Sequence, residues 1–71
     1  MKRILEDEGI SLVSDNGIYY LIYDGGELMI KMKKLEITHK EAEEVINNPD
    51  IMYRIIIQYQ DKGIFGENLN L

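Results

Sequence analysis

Ile10-Ser11-Leu12-Val13-Ser14-Asp15-Asn16-Gly17-Ile18-Tyr19-Tyr20-Leu21-Ile22-Tyr23-Asp24 is the stretch that decides the fold. Two runs rich in β-branched, aromatic and aliphatic residues flank Asn16-Gly17. A type I′ turn needs positive φ at both central residues, which Asn and Gly tolerate, so a two-residue β-hairpin is expected here. Asp24-Gly25-Gly26-Glu27 is a second turn signal of the same kind. Together they predict a three-stranded antiparallel meander with strands near residues 10 to 14, 18 to 23 and 27 to 33.

The two hairpins fix one another's faces, because a one-residue slip exchanges the buried and exposed sides of a strand. Closure at Asn16-Gly17 places Leu12 opposite Leu21 and Ile10 opposite Tyr23. Closure at Gly25-Gly26 places Leu21 opposite Ile30, Tyr23 opposite Leu28 and Tyr19 opposite Met32. One face then collects Ile10, Leu12, Tyr19, Leu21, Tyr23, Leu28, Ile30 and Met32, which is the expected core side. The reverse face carries Ser11, Val13, Ile18, Tyr20, Ile22, Met29, Lys31 and Lys33.

Beyond Lys33 the apolar positions change phase to Leu35 and Ile37, which predicts a bulge at Lys33-Lys34. Thr38-His39-Lys40-Glu41 then matches a capping box, and a helix is expected with Ala42, Val45 and Ile46 as its apolar stripe. It should stop at Asn48-Pro49, since a residue before proline avoids the α region. Residues 50 to 62 admit two patterns. As a helix, Asn48 caps it, Pro49 is its first residue, Met52, Ile55, Ile56 and Tyr59 form one stripe and Gly63 ends it. As a fourth strand over residues 51 to 60, Ile51, Tyr53, Ile55, Ile57 and Tyr59 alternate on one side. The helical pattern is favoured because both of its ends carry terminal signals.

The expected organisation is one small α+β domain over residues 1 to 71: an arm or short helix at 1 to 9, the meander at 10 to 37, a helical part at 38 to 63 and a tail at 64 to 71 in which Phe65 packs back. A chain of 71 residues has one thin core. It contains no cysteine, which removes thiol chemistry, thiolate zinc sites and the disulfides of small secreted domains. With the early acidic turn at Glu6-Asp7-Glu8 and no long apolar run, the expectation is a cytoplasmic protein without a membrane partner. Thirteen acidic against eight basic residues give a net charge of −5, which disfavours duplex nucleic acid as partner. Abundant Ile, Lys, Asn and Tyr beside a single alanine, Ala42, suggest AT-rich coding, as in a low-GC bacterium or its phages.

No constellation supports catalysis, a cofactor or a metal. His39 and Glu43 have the spacing of two ligands on one helical face, but no third ligand accompanies them. Ser11 and Ser14 have no base near them in sequence. Gly25-Gly26 joins two strands between carboxylates, unlike a phosphate loop. The expected activity is therefore non-enzymatic: a protein-binding module, such as a small phage or mobile-element regulator, that acts by occupying a partner's surface or by self-association. Its predicted contact residues are Val13, Ile18, Tyr20, Ile22, Met29, Lys31 and Lys33, where tyrosine and methionine form the centre and lysines the rim. The alternative is an acidic nucleic-acid mimic, an anti-CRISPR-like inhibitor, presenting Glu6, Asp7, Glu8, Glu41, Glu43 and Glu44 to a groove built for phosphates. A weaker alternative binds single strands by stacking on Tyr20 beside Lys31 and Lys33.

Overall fold

The computed structural model describes residues 1–25 and 31–69. The fold is α+β. Strands β1 (Lys2–Asp7), β2 (Ile10–Asp15), β3 (Ile18–Asp24) and β4 (Met32–Ile37) form an antiparallel meander, and helices α1 (His39–Asn47) and α2 (Met52–Asp61) follow. A short strand β5 (Glu67–Asn68) then pairs with β4, giving a five-stranded sheet in the order β1-β2-β3-β4-β5.

The hairpin at Asn16-Gly17 forms as its sequence requires, with φ of 52° and 81° at the two central residues. Its register puts Leu12 opposite Leu21 and Val13 opposite Tyr20. The segment at residues 1–9 is neither an arm nor a helix. It is strand β1, joined to β2 by a turn of the same conformation at Glu8-Gly9, with φ of 50° and 83°. Within β1 the register shifts between Arg3 and Leu5, so Ile4 is the extra residue of a bulge.

The second hairpin differs from expectation. Gly25 N–H donates to the Lys31 carbonyl at 2.9 Å, and β4 begins at Met32 rather than at residue 27. Leu21 therefore faces Leu35, Tyr19 faces Ile37 and Tyr23 faces Lys33. The expected partners Leu28 and Ile30 lie outside the described residues. This register puts Leu35 and Ile37 on the core side without any phase break, so no bulge forms at Lys33-Lys34. It also moves Met32 to the reverse face and Lys33 to the core side, the opposite of the expected assignment.

Helix α1 begins with the capping box: the Glu41 N–H donates to Thr38 Oγ1 at 3.1 Å, and the Thr38 N–H donates to Glu41 Oε1 at 2.9 Å. Asn48, with φ −151° and ψ 86°, ends α1 before Pro49. Ala42 and Val45 are buried, whereas Ile46, expected on the same stripe, faces solvent. Residues 51 to 60 do not form a fourth strand; a 3₁₀ turn at Pro49–Ile51 leads into α2, and Asn48 makes no side-chain cap. The helix ends in a Schellman motif, in which the Ile64 N–H bonds the Tyr59 carbonyl and the Gly63 N–H bonds the Gln60 carbonyl, both at 2.9 Å. Gly63, at φ 82°, supplies the left-handed residue this motif needs.

Leu12, Leu21, Tyr23, Leu35 and Ile37 of the sheet bury against Ala42, Val45, Met52, Ile55 and Ile56 of the helices. The tail docks by its backbone instead of by Phe65, whose side chain is exposed. The Tyr23 hydroxyl donates to the Phe65 carbonyl at 2.9 Å, and the Leu69 N–H donates to the Met32 carbonyl at 2.9 Å. No helix among the described residues is long and apolar enough to cross a membrane.

Candidate functional site

The strand registers place Val13, Ile18, Tyr20 and Ile22 together on the reverse face, beside Met32, Lys34 and Glu36. Val13 and Ile22 are buried there, and Ile18 and Tyr20 remain accessible. The basic partner of Tyr20 is Lys34, whose ammonium stands 4.5 Å from the ring centre, a cation–π contact. Lys33 is absent from this surface: it lies opposite Tyr23, and its Nζ donates to Asn68 Oδ1 at 2.6 Å. Lys31 is exposed near the start of β4, and Met29 lies outside the described residues. Ile64 and Phe65 of the tail extend the face past the β4 edge, where a hollow of about 430 Å³ opens between Tyr20, Lys34, Glu36 and Phe65.

The acidic residues do not form one row. Glu6, Asp7 and Glu8 lie at the end of β1 and in the β1–β2 turn. Glu41 lies near the opposite end of the sheet, because α1 starts beside the β2–β3 turn, where His39 Nε2 is 3.0 Å from the Gly17 carbonyl. A carbonyl can only accept, so Nε2 carries the proton in that bond. The His39 ring also meets Tyr19 edge-on at 5.1 Å, which makes His39 a tie between helix and hairpin. No cluster of potential metal ligands occurs among the described residues.

Glu41 is committed to structure. Besides the cap, its Oε1 accepts from the Tyr59 hydroxyl at 2.6 Å, which joins α1 to α2. Burial pulls this carboxyl upward, but hydrogen bonds from Thr38 and Tyr59 and the nearby Lys62 charge outweigh it and hold its pKa below the ordinary value. Burial and the bond to Glu41 push Tyr59 up to about 12. Glu43 and Glu44 project from the exposed side of α1.

A different acidic group does assemble. The start of α2 comes against the β1–β2 turn, so that Asp50 joins Asp7 and Glu8 around a hollow of about 340 Å³ floored by Ile10, Met52 and Tyr53. This hollow continues into a second of about 400 Å³, where Tyr53, Ile56 and Ile57 of α2 face Ile10 and Tyr23 of the sheet. Tyr53 is 65% exposed, and Ile57 is also open to solvent. No lysine or arginine is among the described residues that line either hollow. The result is an apolar groove with an acidic rim.

Sequence reasoning missed this groove, although one signal for it was present. Once Met52, Ile55, Ile56 and Tyr59 are assigned to the core stripe of α2, Tyr53 and Ile57 remain as an apolar pair four residues apart on a neighbouring side of the helix. Such a pair has no place in the core. That Asp50 faces Asp7 and Glu8 follows only from how α2 crosses the sheet. No protein-family model matches the chain, and no curated protein or solved structure is detectably similar to it.

Proposed function

We propose that this protein is a non-enzymatic binding module that acts by occupying a partner protein, and that the groove between α2 and the β1–β2 turn is its contact site. The observation that carries this reading is the coincidence of Tyr53 and Ile57, apolar and exposed, with the carboxylates of Asp7, Glu8 and Asp50 on one rim. An aromatic anchor at the centre with charge at the edge is the usual anatomy of a protein interface. The sign of the rim selects the partner: a segment with an apolar stripe flanked by lysines or arginines, such as one face of a basic amphipathic helix.

The test uses a lysine- and leucine-based amphipathic peptide and its glutamate counterpart, with amide and methyl chemical shifts of the labelled protein as readout. The basic peptide is expected to shift resonances of Tyr53, Ile57 and Ile10, and the acidic one to leave them in place. Tyr53→Ala should weaken the basic peptide by about tenfold or more, as loss of an aromatic anchor does. Asp50→Lys should weaken it further in low salt than in high salt. Equal response to both peptides refutes the groove as a charge-selective site. Shifts confined to Ile18, Tyr20 and Phe65 would move the contact to the reverse face, where the exposed Ile64 and Phe65 favour a second, mixed-charge surface.

A further inference from the structure

Strand β1 is the first strand of the sheet and, among the described residues, pairs only with β2, so its outer edge carries free backbone donors and acceptors. Its sequence is Lys2-Arg3-Ile4-Leu5-Glu6-Asp7: two cations, two aliphatic residues, two anions. None of the four charged side chains makes an ion pair among the described residues; beside them, the amino terminus stands 3.9 Å from an Asp15 carboxylate oxygen. This order is complementary to its own reverse. We propose that the protein associates with a second copy of itself through β1, antiparallel about a two-fold axis, with Lys2 opposite Asp7, Arg3 opposite Glu6 and Ile4 opposite Leu5.

The bulge makes this register possible. A two-fold axis between antiparallel edge strands stands perpendicular to the sheet, so every residue keeps its own face in both copies, and opposed residues must share a face. In a regular strand Lys2 and Asp7, five positions apart, lie on opposite faces, and so do Arg3 and Glu6. The register shift at Ile4 cancels the mismatch. Lys2 and Asp7, opposite Ser14 and Ile10 of β2, both lie on the helix-covered face; Arg3 and Glu6, opposite Val13 and Ser11, both lie on the reverse face. All four charged pairs of the dimer are then of opposite sign and on the same side of the sheet. Ile4, 38% exposed, meets Leu5 of the second copy at the axis. Any parallel in-register arrangement would oppose like charges, so the pattern selects this geometry and discourages other edge contacts. The product is a continuous sheet of ten strands. Asp7 belongs to both surfaces, because it also lines the α2 groove, so the dimer places Lys2 of the second copy at that acidic rim. Arg3 and Glu6, the residues reversed below, do not line the groove.

Sedimentation velocity across a concentration series tests the proposal. The wild type should form dimers in a concentration-dependent way below about 1 mM, the range expected of a small interface. Arg3→Glu sets two glutamates opposite each other at both symmetry-related pairs, and Glu6→Arg does the same with two arginines. Each single variant should therefore dimerise about tenfold more weakly or worse. An equal mixture of the two single variants should associate again, because every opposed pair between the two chains then has opposite sign. The double variant Arg3→Glu/Glu6→Arg should recover wild-type association, which separates the register from any effect on folding. A wild type that stays monomeric to about 1 mM overturns the proposal. So does a dimer indifferent to both reversals, or a mixture no more associated than its components.

Discussion

On the helix-covered face of the sheet Leu12, Leu21 and Leu35 are sealed beneath α1 and α2; on the reverse face Val13 and Ile22 are 4% and 8% exposed, yet neither belongs to the cluster that includes helix residues. The first face excludes water with a second layer. The second does so with cross-strand neighbours: Tyr20 stands opposite Val13 and Lys34 opposite Ile22, and the Lys34 ammonium folds over the Tyr20 ring. Long amphipathic side chains on a sheet can thus shelter short branched ones, because their stems lie along the apolar surface while their polar ends stay in water. What they do not provide is rigidity. A hole beneath the helices is held open by packed backbone on both sides, whereas a hole beneath Tyr20 can be filled by a small shift of the side chain above it.

The largest expected effect follows from that contrast. Leu21→Ala should lose about 3 to 5 kcal/mol of stability in urea denaturation, enough to unfold much of the population of a domain this small. Val13→Ala on the reverse face should lose only about 1 kcal/mol. Equal losses at the two positions would break the comparison, and would mean that the reverse face is as rigidly covered as the other.

The helix-covered side also has a polar clasp. Glu41→Ala removes one half of the capping box and the partner of the Tyr59 hydroxyl, and should cost about 1 to 2 kcal/mol. A double-mutant cycle with Tyr59→Phe should show coupling of about 0.5 to 1.5 kcal/mol. Additive losses would show that α1 and α2 are joined by apolar contact alone.

The same clasp sets a pH dependence with a definite sign. The Glu41 carboxyl is lowered in the folded state, so its contribution is present above the unfolded value and is lost as pH falls through the folded value. The Tyr59 phenol is raised from 10.0 to about 12, so its contribution is complete below about 10 and is lost as pH rises toward about 12. Thermal midpoints should therefore fall at both extremes. Tyr59→Phe should flatten the alkaline fall and Glu41→Gln the acid one; an alkaline slope unchanged in Tyr59→Phe would assign it to other groups.

The smallest effect belongs to neither face. Glu8 sits at φ 50°, a left-handed conformation unfavourable for a side chain that cannot bond its own backbone. Glu8→Asn should stabilise the domain by about 0.5 kcal/mol through the turn alone, leaving the difference between Leu21→Ala and Val13→Ala unchanged. A loss of stability instead would show that the Glu8 side chain contributes to the fold.

These two tight turns also show where legibility ended. Asn16-Gly17 and Glu8-Gly9 adopt nearly the same φ angles, but only the first has a residue at its leading position that favours them, and only the first was legible. With its turn hidden and four charges in six residues, β1 resembled an arm. Pairing with β2 decided it. For the third strand the glycines at Asp24-Gly25-Gly26 suggested a tight closure, whereas the register that buries Leu35 and Ile37 required β4 to start at Met32. Burial of these two aliphatic residues against the helices accompanies this register. The registers place Ile18 and Tyr20 on one face, as the hairpin pattern implies, but Lys33 falls on the other face and Lys34 stands over the tyrosine.

By itself the sequence determined the elements with local causes: the Asn16-Gly17 hairpin and its register, the capping box at Thr38 and Glu41, the break at Asn48-Pro49 and the glycine stop of α2 at Gly63. Each depends on residues within a few positions of one another, so their conformational preferences add up before the chain is folded. Only the tertiary structure decided that β1 and β5 join the sheet, that Leu35 rather than Ile30 faces Leu21, and that Asp50 meets Asp7 and Glu8 beside Tyr53. Those outcomes depend on which distant surfaces bury the most apolar area together. That choice is made between whole arrangements of the chain, and no local stretch of residues encodes it.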